Sequence, residues 1–388
     1  MMDAAEWLAR IHALDRPARF RVMNVCGGHE RSITMAGLRK ALPEGVEIIP
    51  GPGCPVCVCP EETIYQAMQL ALTRPITLVC FGDMLRVPVN VPRGEPRSLE
   101  DARAAGADVR PIASPLEAVR IARQSPREVV FFAAGFETTT APVAAMLAEG
   151  VPENLSVLLA ARRTWPAVAM LLDSGQARFD ALIAPGHVAT IMGAEEWAAV
   201  PQRYGMPAAV AGFTPESLLA AMWSVLRQHI EGRSFLDNCY PELVRPDGNP
   251  TARVRLVEVM RVVDAPWRGI GVIPASGFAL SEAYAVHDAN QRFPLEQPFG
   301  RRRAGQMPPG CGCADVVLGK IYPDQCALYG RACTPRNPVG PCMVSDEGAC
   351  RIWWAGGTRT ARGTGSACAS ADRPRPAPPP AGAGPEPA

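Results

Sequence analysis

The sequence has almost no surplus charge of either sign, with 39 lysines and arginines against 38 aspartates and glutamates. No basic field is available to hold nucleic acid, and no acidic tract stands out. Long apolar runs are also missing. The longest, VVFFAAGF at 129–136, is far too short to cross a bilayer. The opening MMDAAEWLARIHAL places charges where a secretory leader has its apolar stretch. A soluble, cytoplasmic protein is expected, with neither nucleic acid nor membrane as a partner. No GxxxxGK[ST] phosphate loop occurs, no strong internal repeat is visible, and no second CxxC accompanies the one at Cys54 and Cys57.

What the chain does have is thiol. Thirteen cysteines are present, clustered at 54–59 and 311–350. In a reducing compartment such a set points to metal or redox chemistry rather than to a static disulfide framework. The segment GPGCPVCVCP (51–60) braces three thiols with glycine and proline.

Apolar runs FRVMNV, VEIIP, ITLVCF, EVVFFAA, LSVLLA, ALIA and PAAVA read as strands. Helical patterns lie between several of them, including SITMAGLRKAL, EETIYQAMQLAL, PLEAVRIARQ and TPESLLAAMWSVLRQHI. Such alternation implies βαβ units and mainly parallel sheets, enough for two α/β domains, here divided as 1–135 and 136–265. From about 266 the texture turns to glycine, proline and cysteine, which marks a third domain at 266–360. Residues 361–388 are rich in proline and alanine, lack aromatic residues and are expected to be a disordered tail.

Ligands in open α/β sheets bind beyond the carboxyl ends of strands. Five distinctive motifs follow apolar runs in that way: CGGHE (26–30), GPGCPVC (51–57), GDMLRVP (82–88), GFETTT (135–140) and PGHV (185–188). Each has an ordinary reading as well. Cys26 could be a buried thiol, but Gly27-Gly28-His29 favours an exposed turn with an imidazole nearby. Cys54 and Cys57 have the spacing of a redox dithiol or of half a zinc site; without a second CxxC, the dithiol reading is preferred. Cys59, before Pro60 and two glutamates, suits the N-cap of a 60–72 helix, whose dipole would favour a thiolate on Cys57 or Cys59. Asp83 and Arg86 could be a surface ion pair, Glu137 with Thr138 and Thr139 ordinary helix capping, and His187 a core histidine. Cys80 reads as core. Cys239, Cys368, His12, His229 and His287 read as structural. Cys311, Cys313, Cys326, Cys333, Cys342 and Cys350 lie on Gly/Pro-rich loops without close zinc knuckles, which favours a [4Fe–4S] cluster and leaves two thiols spare.

Together, CGGHE, GPGCPVC, FGDMLRVP, GFETT, PGHV and CTPRNPVGPCMVSDEGAC resemble, in the same order from about 18 to about 354, the HypD family of [NiFe]-hydrogenase maturation proteins. The resemblance implies two Rossmann-like parallel-sheet domains plus a C-terminal cysteine-rich iron–sulfur domain. It further implies a scaffold that works with a HypC-like chaperone to build the Fe(CN)2CO unit. A HypE-like protein, charged by HypF, would donate cyanide, and a hydrogenase large subunit would be the downstream recipient. By motif, Cys26 would hold the iron beside His29, and Cys54 and Cys57 would be the redox pair. Cys311, Cys326, Cys333 and Cys350 would ligate the cluster, with Cys313 and Cys342 as a spare pair, as in ferredoxin:thioredoxin reductase. Asp83, Arg86, Glu137, Thr138 and His187 join the candidate site through their motifs. The chain departs from the family pattern at Arg31, where a second histidine is usual, and at Cys59, where a hydroxyl residue is usual. Two alternatives stay open. One is a cluster-dependent disulfide oxidoreductase acting on proteins, which would need no iron at Cys26. The other is an interaction module stapled by its cluster, which would need neither Cys26 nor the CxxC.

Overall fold

The computed structural model describes residues 2–175, 177–294 and 307–357. The expected tail at 361–388, and Cys368 within it, lie outside the described residues.

All seven apolar runs form strands: β1 Phe20–Asn24, β2 Val46–Pro50, β3 Ile76–Phe81, β5 Glu128–Gly135, β6 Leu155–Ala161, β7 Ala181–Pro185 and β8 Ala208–Ala211, with short β4 Val109–Ile112 and β9 Leu236–Cys239 in addition. They make two sheets, ordered β2-β1-β7-β8-β9 and β4-β3-β5-β6, in which every pairing is parallel. Helices cover both faces of the first sheet. Phe20, Val22, Ile48 and Ile183 pack against Leu218, Met222 and Leu226 of the Pro215–Ile230 helix. Met23, Ile49, Leu182 and Ala184 pack against Leu171, Val188 and Trp197 on the opposite side. Burial on both faces explains why these strands read as continuous apolar runs instead of alternating ones. The fold is α/β with two Rossmann-like sheets and a cysteine-rich C-terminal region.

The expected division at 135 does not coincide with the sheets. β5 ends at Gly135 and pairs with β6, so a cut there would split the second sheet. The first sheet is discontinuous in sequence: β1 pairs with β2 on one side and with β7 on the other, and the whole second sheet lies between β2 and β7 in the chain. Alternation of strand and helix counts strands. It does not say which strands become neighbours.

The strand orders create two reversal points, between β1 and β7 and between β3 and β5. These are the crevices where open sheets bind ligands. Past β5 and β6 the chain adds an antiparallel hairpin, β10 Met260–Trp267 with β11 Gly271–Leu280, which the sequence patterns did not single out. In its turn, Arg268 is fully buried and pairs with the equally buried Glu61 at 3.1 Å, while donating to Pro88 O at 2.8 Å. Residues 307–357 follow as short helices and turns laid against both sheets. Tyr322 donates to Glu47 of β2, and Arg86 donates to Pro335 O.

Candidate thiol site

All five motifs sit at carboxyl ends of strands, and four of them flank the reversal points: Cys26 and His187 after β1 and β7, Asp83 and Glu137 after β3 and β5. Cys26 is the N-cap residue of the Gly27–Met35 helix, in extended backbone, and is half-buried. Its carbonyl accepts from Glu30 N and from Asn24 Nδ2, both at 3.0 Å. Gly27 N donates to Gly53 O at 3.0 Å, which joins the first thiol loop to the second. The glycines are there for close approach. A Cβ on Gly53 would stand 2.5 Å from Cys26 Cα and N, and one on Gly27 would stand 2.5 Å from Glu347 Cβ.

Cys54 caps the short Pro55–Val58 helix and is joined to Cys57 by a disulfide; both are buried. Cys59 ends that turn. It does not cap the next helix, which runs Glu61–Thr73 with Pro60 at its N-cap. The expected thiolate at this position is also corrected. Burial pushes the Cys59 thiol up to about 12, although the nearby Arg162 and Arg268 act in the opposite direction.

Cys26, Cys54, Cys57, Cys342, Glu30 and Glu347 line one narrow cavity. Burial pushes Cys26 up to about 12 against the pull of backbone N–H groups, and the carboxylates of Glu347 and Glu30 add to the rise. Cys26 is therefore a neutral thiol at neutral pH. Glu347 and Asp83 each keep exposed surface, but enough of each is enclosed to shift them upward. Desolvation and the neighbouring Asp83 bring Glu347 to about 7. Desolvation also raises Asp83, which accepts from Ser345 Oγ at 3.3 Å.

Four other expectations change. His29 is fully buried with both ring nitrogens taken up by protein: Nδ1 lies 3.1 Å from Asn24 Oδ1 and Nε2 lies 3.0 Å from Ala211 O. Burial lowers its pKa to about 3, and the neutral ring this favours donates to only one of these two acceptor oxygens, the other contact being a close approach without a proton. It supports the end of β1 from behind and does not face a ligand at Cys26. His187 is exposed and is not a core residue, its ring stacked on Phe213 with centroids 3.8 Å apart. Asp83 and Arg86 do not pair with each other; Arg86 meets Glu100 at 3.5 Å. Glu137 is no cap either. It is wholly buried and accepts from Thr164 N at 2.7 Å and Thr164 Oγ1 at 2.8 Å, with Thr138 half-buried beside it. Burial raises Glu137, and it raises the nearby Glu196 to about 8.

A second cavity gathers all six C-terminal cysteines, Cys311, Cys313, Cys326, Cys333, Cys342 and Cys350, with Tyr329 and Met343 as apolar walls. Backbone N–H groups already point at sulfur: Gly312 to Cys326 at 3.3 Å, Val339 to Cys333 at 3.4 Å and Cys350 to Cys342 at 3.2 Å. The Cys313 and Cys342 thiols hydrogen-bond each other. Burial raises Cys311 strongly, and the neighbouring thiols raise it further. Among the described residues no three His, Cys, Asp or Glu side chains converge on a point suited to one metal ion. A cubane asks for something else, one thiolate per iron spread around an enclosed apolar space. Cys342 lines both cavities.

Asn24, Glu30, Glu347 and Phe213 belong to the site but were not legible as such. Glu347 had the best signal, inside the cysteine-flanked SDEGAC.

Residues 3–357 match a family model named HypD and described as "Hydrogenase formation hypA family". The chain is 41% identical over 347 residues to "Hydrogenase maturation factor HypD" of Rhodobacter capsulatus, covering 88% of this chain and 90% of that one. It is also 41% identical over 365 residues to "Hydrogenase expression/formation protein HupD" of Azotobacter chroococcum, covering 91% and 94%. Against "Hydrogenase maturation factor HypD" of Cupriavidus necator it is 37% identical over 362 residues, covering 90% and 93%. The chain that carries these thiol loops and this six-cysteine pocket is thus a hydrogenase maturation factor and belongs to the HypD family.

Proposed function

We propose that the chain is the scaffold on which the Fe(CN)2CO unit of a [NiFe]-hydrogenase is assembled, with a HypC-like chaperone sharing the iron and a HypE-like protein donating cyanide. The observation that carries this reading is the common wall of the two cavities. Cys342 faces Cys26 and the Cys54–Cys57 disulfide on one side and the other five C-terminal thiols on the other.

Iron enters as substrate. Its charge displaces the proton of Cys26, and Glu347, titrating near 7 beside it, is placed to accept that proton. Thiolate sulfur is a soft donor and suits a low-spin iron carrying cyanide and CO. Cys311, Cys326, Cys333 and Cys350 would hold a [4Fe–4S] cluster, which would pass two electrons, one at a time, from an external reductant to a Cys313–Cys342 disulfide and so restore the two thiols that the exchange consumes. The Cys342 thiolate then attacks the Cys54–Cys57 disulfide to form a mixed disulfide and release one thiolate. Cys313 attacks Cys342, the Cys313–Cys342 disulfide closes, and the second thiolate leaves. One disulfide is reduced and one is formed, so the electrons balance. The reduced Cys54/Cys57 pair faces the iron thiol across the cavity.

The test is anaerobic co-purification with the HypC-like partner, followed by infrared spectroscopy. Wild-type complex should show cyanide and CO bands. Cys26→Ala should keep about four iron and four sulfide per chain and lose those bands. Bands that persist in Cys26→Ala would remove Cys26 from the mechanism and favour a disulfide oxidoreductase acting on proteins. Stoichiometric zinc without acid-labile sulfide would remove the cluster.

A further inference from the structure

Glu30 lies in the first turn of the helix that begins after Cys26, and it is 2% exposed. Three donors meet its carboxylate. Arg39 Nη2 is 2.7 Å from each oxygen, Trp353 Nε1 is 2.7 Å from Oε1, and Asn24 Nδ2 is 3.4 Å from Oε2. The same Asn24 amide holds the Cys26 carbonyl at 3.0 Å, and the Asn24 carbonyl accepts from Gly51 N at 2.9 Å. Asn24 therefore grips both thiol loops at their roots. At the far end, Trp353 stands on the Ala349–Ala355 helix three residues after Cys350. Its ring lies under the Arg39 guanidinium at 5.1 Å and stacks on Tyr322 at 5.5 Å. An unbroken line of hydrogen bonds thus runs from the Cys350 helix to the backbone of Cys26. A buried carboxylate is held this firmly only while its donors stay in place, and charge-assisted bonds of this kind are the stronger ones.

We propose that Trp353 is a positioning residue that, through Glu30 and Asn24, fixes the depth of Cys26 in its cavity and ties that loop to the helix carrying Cys350. The roles of Cys26 and Cys350 rest on the assembly reading, but the bridge itself can be measured without it. Trp353→Phe keeps an aromatic ring beside Arg39 and Tyr322 but removes the indole N–H together with part of the packing surface, so the near-isosteric Glu30→Gln, which changes the hydrogen bonds and hardly any volume, separates the two. Glu30→Gln leaves one carbonyl oxygen for three donors.

The full-length protein, purified anaerobically, is treated with iodoacetamide, and the rate at Cys26 is read by mass spectrometry relative to Cys239. Trp353→Phe should raise the Cys26 rate about fivefold or more at wild-type iron and sulfide content. The double variant with Glu30→Gln should be no faster than the faster single one, because both break the same line. An unchanged rate in Trp353→Phe, effects that multiply in the double variant, or loss of iron and sulfide would each overturn the proposal. Where Trp353→Phe yields no folded protein, Glu30→Gln decides: a raised rate supports the bridge and an unchanged rate overturns it. Alkylation needs no partner, so missing infrared bands in the wild-type complex would sink the assembly reading and leave this measurement standing.

Discussion

At the scale of single residues, the site is built from groups held away from their usual protonation. Cys26 keeps its proton up to about 12, mainly because it is buried. Its alkylation rate should therefore keep climbing from pH 8 to pH 11, where an unperturbed thiol levels off near pH 9, and a plateau at pH 9 would contradict the burial described here. His29 works in the other sense. Its folded pKa, about 3, lies below the ordinary 6.5, so the unfolded chain binds more protons between those values. The stability it contributes is complete above pH 6.5 and is lost as pH falls toward 3, with a slope of up to about 1.4 kcal/mol per pH unit. His29→Gln should cost about 1–3 kcal/mol at pH 7. Its urea-unfolding stability should also be flatter than wild type between pH 6.5 and 4. The candidate thiols were legible in the sequence because cysteine, glycine and proline in tight spacing have few ordinary uses. Glu30 and Asn24 were not, since a carboxylate and an amide near a strand end look the same whether or not a tryptophan 300-odd positions later will reach them. His29 was misread for a related reason: its residue type signals chemistry, whereas its partner Ala211 O comes from a strand that sequence spacing cannot bring close.

At the scale of elements, loops that touch backbone to backbone are the least tolerant parts. Gly53→Ala would push a methyl group against Cys26 Cα and N, main-chain atoms with no rotamer to change. A loss of about 1–3 kcal/mol is expected by chemical denaturation, together with altered Cys26 alkylation. The same substitution at Gly82, where a Cβ would meet nothing within 4 Å, serves as the control. The β10–β11 hairpin is fastened by its turn. Arg268 and Glu61 are both at 0% side-chain exposure, so Arg268→Met would leave the Glu61 carboxylate in the core with the Asn90 N–H groups but without its counter-charge. Breaking a buried pair from one side typically costs about 3–5 kcal/mol, which urea unfolding would measure. The hairpin went unread because glycine and proline interrupt its second strand, GVIPASGFAL, and its bulge between Val263 and Ala265 disturbs the alternation in the first.

At the scale of the whole molecule, the thiol loops of the first sheet and the C-terminal cysteine pocket meet at Cys342. Cys342→Ser should leave iron and sulfide content at wild-type level while a chemical reductant of the cluster no longer opens the Cys54–Cys57 disulfide, as counted by free-thiol labelling; normal opening would remove Cys342 from the path. Strand and helix content was readable because both faces of the sheets are buried and the runs are long. Sheet membership was not, since the chain leaves the first sheet after β2, completes the second and returns only at β7. That interruption has a consequence for synthesis. The second sheet can close while the first still lacks its central neighbour, and Cys342 and Glu347 arrive more than a hundred residues later still. At about 5–20 residues per second, the roughly 300 residues between Cys26 and the end of the site take on the order of 15–60 s to emerge. Until β7 emerges, the newborn chain holds Cys26 and its CxxC thiols on a sheet that still lacks its central strand. The ribosome-bound form is therefore the one most open to oxidation and stray metal, and the Ala349–Ala355 helix, last of the described elements to emerge, brings Ala349 to the cavity wall.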